Sequence, residues 1–236
     1  MQKDLPLLQV ISFALWENEP RYVEGAFRNI ELAKTIYPDW VCRIFVSSQL
    51  IPEDIIVKLK EHDNVQVVVV DDDPIDGSLW RFDVADDPLV ELFVVRDTDC
   101  RLSVREKEAV DQWIESGKEF HVMRDHPFQM SPIVPNLWGM RVGNFKDMKL
   151  KTKKFIDGNY HKRSGGLAEA FMWAYIWPIA QTNSFIHDPY FTNDCDFPVK
   201  ERDQEEAVWF VGETFDENEN HSIYKRRFLD YPVKVN

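Results

Sequence analysis

Glycine is scarce in this chain, with nine residues in 236. Neither G-x-G-x-x-G nor G-x-x-x-x-G-K-[ST] occurs, which excludes the Gly-rich cradles that hold phosphate in dinucleotide folds and P-loops. Cysteine is scarcer still. Cys42, Cys100 and Cys195 are odd in number and lack metal-ligand spacing, so neither a disulfide framework nor a zinc site is indicated. No run of 18 apolar residues occurs, and MQKDLPLLQVISFALWENEP lacks the charged start and cleavage site of a signal peptide. The expectation is a soluble, cytoplasmic protein without membrane insertion. Positive charge is also in deficit: 28 Lys and Arg stand against 41 Asp and Glu, a net charge of -13. That balance disfavours nonspecific binding to nucleic acid or an anionic membrane. An anionic ligand must therefore be held by a local device.

What the chain has in quantity is apolar and aromatic side chains, 44% and 13% of its residues, enough to bury a sizeable core in one domain spanning 1–236. LQVISFAL (8–15) reads as a buried strand, and 20–38 carries apolar residues at helical spacing. The alternation continues with WVCRIFVSS as strand, PEDIIVKLKEH as helix, VQVVVV as strand, a short helical stretch around SLWRFDVADD, and VELFVV as strand. Strands separated by helices imply right-handed crossovers and an α/β fold, with a mostly parallel sheet flanked by helices on both faces. Ser103 to Glu106 is a capping-box pattern opening a helix to about Ser116. Further on, EFHVMR reads as strand, HPFQMSPIVPN as loop, LAEAFMWAYIWP as helix and WFVGE as a short strand. The alternation is regular to about residue 100 and less regular over 101–236.

Asp-x-Asp occurs three times: Asp71 to Asp73, Asp97 to Asp99 and Asp194 to Asp196. About two such matches arise by chance in a chain of this size, so context must choose among them. The first follows a strand like an ordinary solvated turn, and the third sits in a Pro- and Asn-rich loop. Asp97-Thr98-Asp99 ends an apolar strand, is bracketed by Arg96 and Arg101, and precedes the capped helix. Beyond the carboxyl ends of strands is where open α/β sheets hold ligands. Two carboxylates there suit a hard divalent cation such as Mn2+ or Mg2+, which bridges carboxylate to diphosphate, and the arginines add bidentate donors or hold the aspartates in place.

SLWRF (78–82), RDTDCRLSVREKEAVDQW (96–113), HVMRDHP (121–127), LWGMR, and HDPYF with FPVK and FVGE (187–213) together resemble the GT-A fold glycosyltransferases. The likeness runs from about Leu8 to Glu213, and is closest to a small viral and bacterial group that includes a chlorella-virus enzyme building capsid glycans. The resemblance implies a metal-dependent glycosyltransferase that moves a sugar from a nucleoside diphosphate sugar, with a UDP-sugar favoured, to a glycan, glycoprotein or other hydroxyl acceptor. Asp97 and Asp99 would be the metal aspartates and His187 a late metal ligand. Ser12 and Phe13 would open the loop that cradles the nucleotide, with Trp16 or Tyr22 stacking on the base. Arg81 and Arg96 would face the ligand, and Trp138 with Gly139 would shape the sugar pocket. Asp125 and Glu169 are the candidate bases for the acceptor hydroxyl. The group favours Asp-Gln where this chain has Ala168-Glu169. The basic run from Lys146 to Arg163 reads as a solvated face or as a lid closing on the diphosphate. Two other readings stay open: a metal-dependent phosphohydrolase or nuclease using the same carboxylates, and a noncatalytic sugar-nucleotide-binding domain.

Overall fold

The computed structural model describes residues 6–71, 77–158, 166–191, 195–198 and 209–221. Seven strands form one mixed sheet: β1 (Leu8–Leu15), β2 (Val41–Ser47), β3 (Val65–Val70), β4 (Val90–Val95), β5 (Phe120–Met123), β6 (Trp138–Arg141) and β7 (Ser184–His187), in the order β3-β2-β1-β4-β6-β5-β7. β1 pairs in parallel with both β2 and β4, and β2 with β3. β6 is antiparallel to both β4 and β5, and β5 and β7 are parallel. The sheet is therefore mostly parallel, with one reversed strand inside LWGMR.

The central strands are apolar on both faces because each face is covered. From β1, Val10 enters one core with Phe93, Trp138 and Phe171, while Ile11, Phe13 and Leu15 enter the other with Ile30, Ile44 and Trp113. α1 (Pro20–Ile36) turns Val23, Ala26, Ile30 and Ala33 onto the second core, and the fixed φ of Pro20 suits a helix start. α2 (Glu53–Lys60) connects β2 to β3, burying Ile56 and Leu59. α3 (Val104–Ser116) starts at Ser103, whose hydroxyl accepts from the Glu106 amide at 3.2 Å, a cap worth about 1 kcal/mol. It ends at Gly117, whose φ of 69° is the left-handed C-cap that glycine adopts without strain. α4 (Met148–Gly158) precedes a helical run made of α5 (Leu167–Phe171), a π turn (Met172–Ile176) and α6 (Trp177–Ala180).

The structure sharpens or changes four local expectations. The stretch around SLWRFDVADD is a 3-10 helix, Gly77–Asp86, that buries Leu79, Trp80, Arg81, Phe82 and Val84. Only half of the capping box forms: the Glu106 carboxylate does not return to the helix start but accepts from Arg96 Nε and the Tyr37 hydroxyl, each at 3.0 Å. Buried cations recruit buried anions, and here that outcompetes the local bond. WFVGE is a turn, Glu213 being buried while its carboxylate accepts from the Trp209 amide at 2.7 Å. The described part of the basic run is the helix α4, fastened by the Asp86 carboxylate, which accepts from the Met148 and Lys149 amides at 2.9 and 2.8 Å. The start of α4 is thus tied to the 3-10 helix, and residues 159–163 of the run lie outside the described residues.

Candidate functional site

The chain runs outward from β1 through β2 to β3, then returns to place β4 on the other side of β1. The strand order therefore reverses between β1 and β4, and at such a switch point the connecting loops diverge and leave a crevice. Ser12 stands opposite Val95 in the register, so Trp16 and Glu17 after β1 and Asp97 to Asp99 after β4 share one rim. A cavity of about 200 Å³ lies there, lined by Ala14, Trp16, Glu17, Tyr22, Ser78, Arg81, Asp97, Thr98, Asp99 and Thr214.

The Asp97-Thr98-Asp99 loop is held from below by α1. Asn29, buried on the apolar face of that helix, donates from Nδ2 to the carbonyls of Thr98 (3.0 Å) and Cys100 (2.8 Å) and accepts from the Leu102 amide (3.0 Å). One turn earlier, Gly25 lets helix and loop touch: a Cβ there would stand 2.1 Å from the Thr98 carbonyl oxygen. On its other side the loop pairs with the late segment, where Cys100 bridges to Thr214 and the Phe215 amide donates to the Asp99 carbonyl at 2.9 Å.

Arg81 reaches the rim from the 3-10 helix, donating to the Arg96 carbonyl at 3.0 Å and to the Asp97 carboxylate. Ligand atoms of Asp97, Asp99 and Cys100 lie within 4.8 Å of one another. Burial, and next the negative charge of Asp97, push the Asp99 carboxyl up to about 7. Burial and the Asp99 charge also raise the Tyr22 hydroxyl. The cavity thus presents the three carboxylates of Glu17, Asp97 and Asp99 against the single guanidinium of Arg81. Such a set favours a cation.

Of the residues singled out in the sequence, Arg81, Asp97, Asp99, Trp16 and Tyr22 come together around this cavity. The others lie elsewhere. Ser12 and Phe13 are interior positions of β1, which continues to Leu15; the Ser12 hydroxyl donates to the Arg81 carbonyl at 2.7 Å and Phe13 packs in the core. The rim therefore begins at Ala14, two residues later than the sequence suggests. Arg96 points inward to Glu106 and is 1% exposed. Arg101 pairs with Glu219 at 2.8 Å and with the loop carbonyls of Thr98 and Cys100. Arg96 and Arg101 thus brace the loop from within.

Trp138 is core, edge-on to Phe82 and Phe93, and Gly139 faces the backbone of β4, where a Cβ would meet the Phe93 oxygen at 2.7 Å. His187 is fully buried in β7. Its Nδ1 shares a 2.9 Å hydrogen bond with His121 Nε2 and its Nε2 another, at 3.0 Å, with Gln112 Oε1. Both of its ring nitrogens are therefore engaged away from the aspartate cluster, and burial lowers it to about 4. Asp125 is closed off by a two-point pairing with Arg105 at 2.8 and 2.9 Å and by the Val211 amide at 3.0 Å. Glu169 stands exposed in the first turn of α5. Asp71 accepts from the Ser48 hydroxyl at an exposed turn, whereas Asp72, Asp73 and Asp194 lie outside the described residues.

Several residues of the site were not singled out as site residues, although Ser78 opens the SLWRF segment. Glu17, Ser78 and Thr214 line the cavity, and Asn29 positions the loop. Asn29 left a trace in the sequence as a polar residue on an otherwise apolar helical stripe.

A switch-point cavity walled by the β1 and β4 loops, in a seven-stranded sheet of this order, defines an α/β fold of the GT-A glycosyltransferase type. Among solved structures, the glycosyltransferase involved in the glycosylation of the major capsid of PBCV-1 is similar to this chain, with a TM-score of 0.50 at 13% identity over 78% of this chain and 82% of that one. The galactosyltransferase LgtC gives 0.47 at 12% identity over 77% and 73%. The 4-diphosphocytidyl-2C-methyl-D-erythritol synthase of Anaerococcus prevotii gives 0.39 at 13% identity over 70% and 83%. Likeness at such identities speaks of fold. No protein-family model matches the chain, and no curated protein is similar to it in sequence.

Proposed function

We propose that this chain is a metal-dependent glycosyltransferase that moves a sugar from a nucleoside diphosphate sugar, with a UDP-sugar favoured, to a hydroxyl of a glycan or glycoprotein. The observation that carries the reading is the rim of carboxylates at the switch point of a GT-A type sheet, where Asp97 and Asp99 converge beside Arg81. The donor set fits a hard divalent cation: two carboxylates two residues apart, of which Asp99 is raised to about 7 by burial and by the charge of Asp97.

Asp97 and Asp99 would hold Mn2+ or Mg2+. Bound there, the ion supplies charge neutralisation for a departing diphosphate. The chain's own residues do the remaining work. Asn29 and Gly25 keep the aspartate loop in one conformation, so the carboxylates are oriented before ligand arrives. Arg81 pairs with Asp97 and leaves its guanidinium at the cavity wall. Trp16 and Tyr22 offer aromatic faces for the base. Because Asp125 is locked to Arg105, the acceptor proton is assigned to neither Asp125 nor a core residue.

The test is a thermal-shift panel of UDP, GDP and dTDP with and without Mn2+. UDP together with Mn2+ is expected to raise Tm well above the sum of the separate effects. Equal stabilisation by UDP with and without the cation would overturn the metal assignment, and no response to any nucleotide would overturn the class.

A further inference from the structure

A second surface of the molecule departs from the overall composition. On the helical run after residue 166, Trp173, Tyr175 and Ile179 are 50%, 37% and 43% exposed, while Phe171, Met172, Ile176 and Ala180 face the core. The π turn over Met172–Ile176 helps make this possible, because its wider register leaves Trp173 to Tyr175 as consecutive outward positions. α4 lies alongside. Phe155 meets Phe171 and Tyr175 edge-on, with ring centroids 5.5 and 5.9 Å apart, so the two helices form one continuous face. α4 carries Lys149, Lys151, Lys153 and Lys154 with one acidic residue, Asp157; Lys151 also pairs with Asp147 just before the helix at 3.9 Å, and Leu150 on the same helix is 51% exposed.

We propose that this face is a docking surface for an anionic phospholipid bilayer, on which the protein sits peripherally. Trp and Tyr combine an apolar ring with a polar tip and favour the headgroup level of a bilayer, and Ile179 and Leu150 add aliphatic surface that gains by leaving water. Lysines flanking such a strip attract anionic headgroups, whereas a cationic or neutral partner would gain nothing from them. The net charge of -13 disfavours nonspecific attraction to such a surface, so the contact depends on these lysines as a local device. At physiological ionic strength screening acts over about 8 Å, so the bilayer senses the local lysines and not the acidic remainder of the chain. α4 is fastened to the 3-10 helix that supplies Ser78 and Arg81 to the cavity, so docking would fix the cavity's position relative to the membrane.

The experiment is co-sedimentation with vesicles of phosphatidylcholine alone and of phosphatidylcholine mixed with phosphatidylserine, at low and physiological salt, using the full chain. Binding is expected only to the mixed vesicles and is expected to weaken with salt. Lys149→Glu with Lys154→Glu is expected to lower the partition coefficient by about 25-fold or more, on the basis of about fivefold per lysine lost near the surface. Trp173→Ala with Ile179→Ser is expected to abolish binding. Because all four positions are exposed, far-UV circular dichroism and Tm should stay at wild-type values, which separates lost docking from lost folding. Brominated acyl chains should quench a part of the tryptophan emission that Trp173→Phe lacks. Equal binding to both vesicle types, or no sedimentation with either, would overturn the proposal. So would light scattering that shows a dimer dispersed by Trp173→Ala, since the face would then join two copies of the chain.

Discussion

Asp99→Asn is expected to make the metal-free protein more stable at pH 8 while removing its response to cation. An ordinary aspartate titrates at 3.8, and in the folded chain Asp99 stands at about 7 because it is buried and next to Asp97. The folded state therefore holds a proton that the unfolded state has already released. Stability is complete below about pH 4, falls as pH rises from about 4 to about 7, and is flat beyond. At about 1.4 kcal/mol for each pKa unit, the charged carboxylate costs the native state up to about 4 kcal/mol at pH 8. Asn keeps the shape and an acceptor oxygen but never ionises. At about 2 to 4 °C for each kcal/mol in a chain of this size, the variant should melt on the order of 10 °C higher at pH 8 and near wild type at pH 5. Calorimetry in metal-free buffer at both pH values, repeated with Mn2+ and UDP, reads both effects. A variant less stable than wild type at pH 8, or one that still gains from Mn2+ with UDP, would refute the reasoning. On the proposed function, a bound cation would relieve the instability of this carboxylate pair.

The remaining predictions concern the scaffold. Asn29→Ala, which leaves the Thr98 and Cys100 carbonyls and the Leu102 amide without their partner, should cost about 1 to 3 kcal/mol in urea unfolding and weaken cation-dependent UDP binding. Gly25→Ala should be worse, since helix and loop must move apart; wild-type binding in Gly25→Ala would show the close approach to be dispensable. Arg105→Leu strands the buried Asp125 and should cost about 3 to 5 kcal/mol by the same unfolding assay, with UDP affinity intact in whatever remains folded. Burial, and secondarily Arg105, lower His187 from 6.5 to about 4, so its contribution is complete above about pH 6.5 and is lost as pH falls toward 4. Because Asp99 acts with the opposite sign over the same interval, this acid loss is best measured in the Asp99→Asn background, where His187→Gln should reduce it and leave the share of the neighbouring His121, which burial also holds well below the ordinary imidazole value.

Local periodicity and capping sufficed to place β1 to β5, α1 to α3 and the position of Asp97 to Asp99 after β4, because those features depend on side chains within a few residues of one another. The scarcity of glycine likewise shows in the sequence alone that phosphate is not held by a Gly-rich loop. The direction of each polar side chain was decided by partners far away in the chain. Arg96 turns to Glu106, Asp125 to Arg105, His187 to His121 and Arg124 to Asp188, pairings between elements that meet only once the sheet is assembled. A motif lists polar residues without saying which of them neutralise one another in the core, and desolvation makes that neutralisation compulsory for each charge the fold buries. What remained at the switch point, Glu17, Arg81, Asp97 and Asp99 with Trp16 and Tyr22, is the set that tertiary structure left facing the cavity.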